Sequence, residues 1–382
     1  MKKEYITYYP IKERNIQEEW EQCLEQIVCS IKSRLRPLKL NIFVDADNYP
    51  SFTKIREFII KSAVERLETG CPALGVTIHP PDKNWKVCVE GLYVSNSTTG
   101  LKTRFWQSVP YVVAESGSLK EVWCAGLGND LYWKDTRKAA TIAFDSVVDL
   151  LEKEEMSLNH VVRQWNYIGN ILEVKNGLQN YQVFNEVRSE YYGRFRTVSG
   201  FPAATGVGMK CGGVFIDFCA IKADDSIKIK PVDNPNQLNA YEYGQNVLRG
   251  LISKGKTVKN PPQFERALLL INGTVKNLFI SGTASIIGQE TIGKEDVREQ
   301  TIVTIENIKK LTDIERINKL AGNSDAISGR YSIVRIYVKN REDFNIIRDI
   351  CNEHFPKTPA IYIEADICRD DLLTEIEGEF VV

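Results

Sequence analysis

The order of predicted secondary-structure elements repeats along the chain, and this repeat constrains the fold more than any other feature. Over residues 106–222, two strands are followed by a helix, a strand, a second helix and a further strand, and residues 265–382 show the same order. Similar residues recur only locally, so the repeat is one of element order. Units of this kind bury apolar sheet faces, which predicts an α+β fold with mostly antiparallel sheets packed side by side and helices on the outside.

We divide the chain into three units from this pattern. Residues 1–100 have the predicted order β-α-β-β and look like only the second half of a unit, ending in a turn-rich link at residues 95–100. Residues 101–225 form a second unit and residues 226–382 a third. The third unit carries the candidate catalytic residues.

Bulk composition excludes several classes of function. The formal net charge is −1, and there is no Lys/Arg tract of the kind that binds nucleic acid or an anionic membrane. No apolar run approaches the roughly 20 residues that span a bilayer, and the N-terminal residues lack the apolar core of a signal peptide. We therefore expect a cytoplasmic protein whose partner is a small molecule, not a nucleic acid or a membrane.

Cysteine and histidine usage argues against a metal centre. The nine cysteines include no CxxC pair, and several lie in apolar runs, which is typical of free thiols in a reducing compartment. The three histidines, His79, His160 and His354, lie far apart in the sequence. A zinc site or a histidine-based triad is therefore not expected.

The last predicted strand contains a glutamate, Glu375, within an alternating pattern that is typical of a half-buried strand. Alternation puts Leu373, Glu375 and Glu377 on one strand face and Thr374 and Ile376 on the other. An acidic side chain in such a strand is costly unless it meets solvent, a partner or a substrate. Glu375 is thus either a solvated edge-strand glutamate or a carboxyl tuned by burial for proton transfer.

Parts of the third unit resemble the YjgF/RidA family. The matching residues are Leu278–Ile286, Asp296–Gln300, Glu306–Ile308, Pro359 and Glu375–Glu377. The resemblance implies tandem RidA-like (chorismate-mutase-like) units, trimeric assembly with clefts between units, and hydrolysis of enamines or imines. The deaminases of that family carry an arginine after a Pro-Ala pair, where this chain has Ile361. This difference argues against simple imine deamination.

A longer stretch, from about residue 106 to the C-terminus, resembles the chorismatase family. The matching segments, in order, are Arg163–Tyr167, Val187–Arg188, Pro202–Gly208, Asn234–Pro235, Ala240–Tyr243, Phe264–Ala267, Ser281–Ala284 and Asp366–Gly378. The resemblance implies cofactor-free cleavage of the enolpyruvyl ether of chorismate, which releases pyruvate and a cyclic acid.

The same resemblance assigns roles at the C-terminal motif. The family's catalytic carboxylate falls on Glu375. The residue seven positions earlier is alanine in members that form a dihydroxycyclohexadiene acid and cysteine in those that form 3-hydroxybenzoate; here it is Cys368. The alternative for Cys368 is a buried, inert thiol.

Two carboxylates on such a substrate call for planar bidentate cations. Arg266 and Arg188 become carboxylate clamps in the family alignment, and Arg163 is a third candidate, although each could be a surface arginine. Tyr243 could hydrogen-bond the substrate or be a core-edge aromatic. The segment 201–208, through Ala204 and Gly206, could bring backbone close to the substrate or be a plain glycine turn.

Two features leave other functions open. After Tyr243 the family pattern is replaced by Gly244–Asn246 and an insertion-like stretch at residues 247–260, and the first hundred residues match the family poorly. The alternatives are a RidA-like hydrolase or deaminase acting on another enol or enamine, and a non-catalytic protein that binds small carboxylates. The chain could assemble as a homotrimer or form a pseudo-trimeric monomer.

Overall fold

A computed structural model describes residues 2–33, 35–95, 100–128, 131–322 and 328–382. The first unit has one four-stranded sheet with strand order β1-β4-β2-β3. Its elements are β1 (Lys3–Tyr8), α1 (Ile16–Lys32), β2 (Leu35–Val44), α2 (Tyr49–Leu67), β3 (Ala73–Ile78) and β4 (Val87–Ser95).

The second unit has a six-stranded sheet of order β11-β8-β12-β7-β6-β5 and a small hairpin, β9-β10. Its elements are β5 (Leu101–Trp106), β6 (Val109–Ser116), β7 (Leu119–Gly128), α3 (Thr136–Lys153), β8 (Val161–Gly169), β9 (Val174–Lys175), β10 (Leu178–Gln179), α4 (Asn180–Phe195), β11 (Ala203–Met209) and β12 (Val214–Lys222).

The third unit repeats this sheet with order β13-β14-β15-β20-β18-β19. Its elements are β13 (Ile227–Val232), β14 (Ala267–Asn272), β15 (Val275–Ala284), β16 (Ile286–Ile287), β17 (Glu290–Thr291), α5 (Val297–Leu311), α6 (Ile314–Ala321), β18 (Arg330–Val338), α7 (Phe344–His354), β19 (Ala360–Glu364) and β20 (Thr374–Val381).

The first unit contains more of the repeat than its predicted β-α-β-β order. The run β1-α1-β2-α2-β3-β4 matches β7-α3-β8-α4-β11-β12 in chain order and in sheet order. Among the described residues it lacks counterparts of the edge hairpin β5-β6 and of the small hairpin β9-β10. The sequence analysis missed β1 because this short strand acquires its pattern only by pairing with distant β4, Lys3 opposite Val94.

Side-chain caps begin the main helices where the sequence favours them. Asn48, Asp135 and Asp296 each accept a hydrogen bond from the backbone N–H three residues later, which satisfies a donor of the first helical turn. Ser51, three residues after Asn48, is also of a residue type that commonly caps helices. Instead Ser51 donates its backbone N–H to Asn48, because the helix begins two residues earlier.

The three sheets pack against one another and carry their helices on the outer faces. One buried cluster contains side chains from every unit, among them Phe43, Trp165 and Tyr337. Separate clusters hold α3 and α4 on the second sheet and α5 and α7 on the third. Burial of each large apolar side chain contributes about 1.5–3 kcal/mol. The predicted α+β class of tandem units with mostly antiparallel sheets is confirmed.

Buried ion pairs link the units around their common centre. Glu90 pairs with Arg335 at 2.6 Å, and Asp217 with Lys39 at 2.8 Å. The third pair joins Glu377 of the third unit to Arg163 of the second. Each acid lies on the last strand of its unit and each cation lies on another unit. Since removing one partner of a buried pair costs about 3–5 kcal/mol, these pairs fix how the units dock.

Candidate active site

A cavity lies at the junction of the second and third units. Its empty volume is about 770 Å³, including the part that is open to solvent. Seven of the eight residues selected from the sequence line it: Arg188, Ala204, Gly206, Tyr243, Arg266, Cys368 and Glu375. The topology therefore brings together residues up to 187 positions apart in the chain (375 − 188).

One wall of the cavity is a bulge in strand β15 of the third unit, and residues of the second unit hydrogen-bond to this bulge. In β15, pairing with β20 is interrupted at Ser281 and Gly282. Ser281 Oγ accepts a hydrogen bond from Ala204 N at 2.9 Å and donates to the Glu265 carbonyl at 2.6 Å, while Gly282 N donates to Thr205 Oγ1 at 3.0 Å. The second unit thus satisfies backbone groups that the bulge removes from the ladder.

The glycine-containing segment at 201–208 is not a plain glycine turn, which was one of the two alternatives left open by the sequence. Residues 203–209 form β11, which pairs in parallel with β8. Ala204 and Gly206 lie in this strand and line the cavity. The strand was hidden because its partners, β8 and the bulge of β15, are remote in sequence.

Glu375 lies near the start of β20, between β15 and β18, and its side chain is 4% exposed. The solvated edge-strand interpretation is therefore wrong. Its carboxylate packs on Gly282: a Cβ atom at that glycine would lie 1.9 Å from Glu375 Oε1. Only glycine leaves room for the acid at this point.

Burial and a neighbouring negative charge tune this acid. Desolvation, and then Glu377, raise the pKa of Glu375 to about 8, although Arg163 and Arg266 oppose the shift. No described residue donates a side-chain hydrogen bond to this carboxyl group. Glu375 is thus mainly in its acid form at neutral pH, as a general acid requires.

Glu377, two residues later on the same strand face, has the opposite character. Its carboxylate accepts hydrogen bonds from Trp165 Nε1 at 2.9 Å and Tyr337 Oη at 3.2 Å. Arg335 Nη1 lies 2.6 Å from it, and Arg163 forms an ion pair with it. Burial alone would raise the pKa of Glu377, but Arg335 and Arg163 outweigh that effect and lower it. The strand therefore places a protonated acid beside an ionised one.

Arg266 projects into the cavity from the segment before β14. Nη2 donates to Tyr243 Oη at 2.8 Å, and Nε donates to the Leu238 carbonyl at 3.1 Å. The guanidinium also lies 5.5 Å from the ring centroids of Tyr243 and Phe264. The hydrogen bonds seen among the described residues use Nε and Nη2, so Nη1 remains for a ligand.

Arg188 approaches the cavity from α4 and is 2% exposed. Nη2 donates to Asn185 Oδ1 at 2.6 Å, and the side chain also hydrogen-bonds Tyr181. Its Nε is buried and has no hydrogen-bond partner in the described part of the chain. An unpaired buried donor of this kind is costly, and a bound anion would satisfy it.

Cys368 lines the cavity, half-buried between the central core and the core of the second unit. Burial, reinforced by Glu375, raises the pKa of its thiol to about 12, although Arg369 opposes this shift. Since the thiolate is the reactive nucleophile, this cysteine is suited to steric or weak proton-transfer roles. Within the described ranges, no group of three His, Cys, Asp or Glu side chains is placed to hold a metal ion.

Comparison with known proteins gives one family. Residues 104–220 match the family model "Chorismatase FkbO/Hyg5-like, N-terminal". A 3-hydroxybenzoate synthase of Streptomyces hygroscopicus is 33% identical over 250 residues, which cover 63% of this chain and 68% of that protein. This chain belongs to the chorismatase family. A chorismatase of Streptomyces rapamycinicus is 32% identical over 57% of this chain and 63% of its own length.

The family fold extends over the whole chain. A crystal structure of a chorismatase aligns with a TM-score of 0.66 and 19% identity and covers 99% of each chain. The first hundred residues, which resembled the family poorly in sequence, are therefore part of the chorismatase fold. No helix in the described part of this family member is long and apolar enough to cross a bilayer.

Arg163 is the one selected residue that lies outside the lining of this cavity. Its Nη2 donates to Thr205 Oγ1 at 2.7 Å and pairs with Glu377, and its guanidinium lies 4.6 Å from the Trp165 ring centroid. As a carboxylate clamp it would have to leave a buried carboxylate. In this chorismatase-family chain Arg163 therefore lies behind the cavity wall.

Arg369, which directly follows Cys368, also lines the cavity and was not among the residues predicted from the sequence. It is 8% exposed, and Nη1 donates to the Gln289 carbonyl at 2.7 Å. Its Nη2 is buried with no hydrogen-bond partner among the described residues, and its guanidinium lies 5.1 Å from the Tyr243 ring centroid. A basic residue inside the C-terminal chorismatase motif was the available signal.

Proposed function

We propose that this chain cleaves the enolpyruvyl ether of chorismate and releases pyruvate, with 3-hydroxybenzoate as the main cyclic product. The observation that carries the proposal is a buried acid, Glu375, facing a cavity that is lined by three buried arginines, Arg188, Arg266 and Arg369. The family membership and the names of the relatives, 3-hydroxybenzoate synthase and chorismatase, support the same substrate.

In this mechanism Glu375 donates its proton to the methylene carbon of the enol ether. The carbon that bears the ether oxygen becomes an oxocarbenium-like centre, and the negative charge left on Glu375 lies beside it. If water attacks this centre, the bond between the centre and the ether oxygen breaks, and pyruvate and the dihydroxycyclohexadiene acid leave. If the ring hydroxyl attacks instead, loss of a ring proton and cleavage of the bond between the ring and that hydroxyl oxygen aromatise the ring. The bond between the centre and the ether oxygen then breaks and releases pyruvate and 3-hydroxybenzoate. A carboxyl with a pKa of about 8 can give up its proton and recover it at neutral pH.

The arginines would hold the two carboxylates of the substrate. Arg188 Nε and Arg369 Nη2 are buried donors that have no partner in the described part of the chain, and the hydrogen bonds of Arg266 there leave Nη1 for a ligand. They approach the cavity from different elements, α4, the loop before β20 and the segment before β14. We propose that they fix the ring and enolpyruvyl carboxylates while Tyr243 orients Arg266 through its hydroxyl group.

Cys368 would control the fate of the ring. Its protonated thiol occupies the cavity beside Glu375 and restricts the space for water. We propose that this favours loss of the ring proton and aromatisation to 3-hydroxybenzoate over release of the dihydroxycyclohexadiene acid.

Incubation with chorismate, followed by chromatography of the products, tests this function. We expect pyruvate and 3-hydroxybenzoate from the wild-type protein and a loss of at least about 10³-fold in Glu375→Gln, because the amide cannot donate a carboxylic proton. Glu306→Gln, which changes an exposed acid of α5, is the matched control and should retain activity. No pyruvate from folded wild-type protein would refute the proposal.

A second candidate is cleavage of a different enol or enamine. The segment 244–260, which departs from the family pattern, contributes Val247, Leu248 and Arg249 to the cavity lining. Pyruvate and ammonia release from a panel of enol ethers and enamines separates the two. Ile361, at the deaminase arginine position, is fully buried in the central core, which weighs against deamination. Tight binding of an aromatic carboxylate without turnover would instead indicate a binding protein.

We also infer that one chain is sufficient for activity. All the residues assigned to the site come from the second and third units of a single chain, and the first unit docks through Arg335 and Lys39. Light scattering coupled to size-exclusion chromatography should give the mass of one chain for the active species. Activity confined to a trimeric fraction would contradict this.

A further inference from the structure

Glu375 and Glu377 lie on the same face of β20 but in different surroundings. Glu375 packs on Gly282 and has no side-chain hydrogen-bond donor among the described residues, whereas Glu377 is enclosed by donors. We propose that Glu377 is a positioning residue: its fixed negative charge adds to the effect of burial in favouring the acid form of Glu375, and Thr205 links Glu377 to the cavity wall on which Glu375 lies. The inference rests on the proposed function, in which Glu375 is the proton donor.

The position of the Glu377 charge is fixed by groups from three strands. Strand β8 contributes Arg163 and Trp165, and strand β18 contributes Arg335 and Tyr337. The hydroxyl group of Thr205, on β11, also donates a hydrogen bond to the Glu377 carboxylate. These donors belong to two units, so the carboxylate cannot turn away from Glu375 without breaking contacts in both. A charge held in this way acts continuously on its neighbour.

Thr205 links the two acids mechanically. Its hydroxyl group donates to Glu377, accepts from Arg163 Nη2, and accepts the backbone N–H of Gly282 at 3.0 Å. Its methyl carbon lies 3.1 Å from the point where a Gly282 Cβ would be, next to Glu375. The position of Glu377 therefore determines the position of the bulge, and the bulge supports the proton donor.

Other charged and titratable groups face Glu375 from the surrounding elements. Arg266, before β14, and Arg163, on β8, favour ionisation of Glu375. The Cys368 thiol faces it from the loop before β20, and Tyr181 faces it from α4. Glu377 and Arg163 form an ion pair but have opposite effects on Glu375. Removal of Glu377 should therefore lower the pH midpoint of the Glu375 titration, whereas removal of Arg163 should raise it.

The test is a titration of Glu375 in variants of this pair. The C=O stretching band of its protonated carboxyl group, identified by its absence in Glu375→Gln, is followed by infrared spectroscopy as pH is raised. Pyruvate release from chorismate is measured over the same range. Glu377→Gln should lower the midpoint by about one unit or more and reduce kcat/KM about tenfold above it, with little change at acid pH. Arg163→Gln should raise the midpoint.

Asp217→Asn is the matched control. Asp217 lies on β12 at the position that corresponds to Glu377, pairs with Lys39, and accepts the Gly126 N–H at 2.7 Å, but no acid occupies the position next to it. It should leave the Glu375 midpoint unchanged even if it lowers stability. Midpoints that move in the same direction in Glu377→Gln and Arg163→Gln, or that move in neither, would overturn the inference.

A third variant covers the case in which neither charge variant folds. Thr205→Val is nearly isosteric and retains both charges, so kcat should fall about tenfold with KM within about threefold, because the support of the bulge is lost. Unchanged kcat would overturn the coupling. Wild-type protein that shows the titration but releases no pyruvate would refute the proposed function while leaving the control of Glu375 by Glu377 intact.

Discussion

The strand β20, which contributes Glu375 to the cavity between the second and third units, corresponds to β12 at the junction between the first and second units. Glu375 lies opposite Ala284, and at the corresponding position Phe215 lies opposite Gly128. In both sheets the paired strand is interrupted at a glycine, Gly282 in β15 beside β20 and Gly126 in β7 beside β12. The two junctions therefore share a backbone arrangement and differ in the side chains placed on it.

The junction of the first and second units is closed by aromatic packing. Phe215 is fully buried, lies edge-on to Phe52 with ring centroids 6.2 Å apart, and is covered by the Arg56 guanidinium. Tyr49 stacks on Trp133 at 4.7 Å beside it. One junction thus holds the units together with apolar surface, while the other retains a costly buried acid and two arginine N–H groups, Arg188 Nε and Arg369 Nη2, that have no partner among the described residues. Such locally unfavourable groups are expected where ligands bind.

The largest expected effect on stability is at the closed junction. Phe215→Ala should lower the free energy of unfolding by about 3–5 kcal/mol, because the aromatic ring fills the space between two units and its removal leaves a cavity. Chemical denaturation measures this change. The folded variant should still release pyruvate at neutral pH, and a loss below about 1 kcal/mol would show that this junction is not the structural one.

Alanine substitutions of the two glycines, Gly282 and Gly126, provide a matched comparison of the junctions, and their expected effects are nearly as large as that of Phe215→Ala. Gly282→Ala should reduce kcat/KM about 100-fold, because the new methyl group displaces the Glu375 carboxylate. Gly126 has φ of +72°, and a Cβ there would lie 2.9 Å from the Leu74 carbonyl oxygen. Gly126→Ala should therefore lower stability by about 1–3 kcal/mol and spare the chemistry. Equal effects of both variants on kcat/KM would remove the distinction between the junctions.

Glu375→Gln should stabilise the protein while abolishing activity. Below pH about 4.5 the carboxyl is protonated in the folded and unfolded states; between about 4.5 and 8 only the unfolded state ionises readily, so the acid increasingly destabilises the fold. Near neutral pH the amide should therefore add roughly 1–3 kcal/mol to the free energy of unfolding. Thermal unfolding at several pH values checks this, and a gain that does not disappear at acid pH would contradict the mechanism.

The same ionisation predicts the pH profile of the wild-type enzyme. A general acid must be protonated, so kcat/KM should fall about tenfold per pH unit above pH about 8. The profile of pyruvate release measures this, with the stability of the protein checked at each pH.

The smallest expected effect on rate is at Cys368. Cys368→Ala should keep pyruvate release within about tenfold of wild type, since the proton donor is unchanged, and should shift the cyclic product toward the dihydroxycyclohexadiene acid. Chromatography of the products gives the ratio. An unchanged product mixture would refute a steering role for this thiol.

The part of the site that could be predicted from sequence consists of residues whose motif is local. Cys368 and Glu375 lie in one short segment, and Tyr243 and Arg266 precede one strand, so a family resemblance could single them out. The sequence also determined the α+β class, because strand and helix periodicities are properties of neighbouring residues. Arg369 belonged to the same segment but, as an isolated basic residue, could not be distinguished from a surface arginine.

Only the tertiary structure decided which arginines face the cavity and which hold the protein together. Arg163 and Arg266 both looked like substrate clamps, but Arg163 pairs with Glu377, 214 residues away, and this contact removes it from the cavity. The sequence does show that two corresponding strand positions differ, with a glutamate at 375 in β20 and a phenylalanine at 215 in β12. The consequence of this difference, an open junction in one place and a closed one in the other, depends on burial and charge contributed by distant strands, which no local pattern encodes.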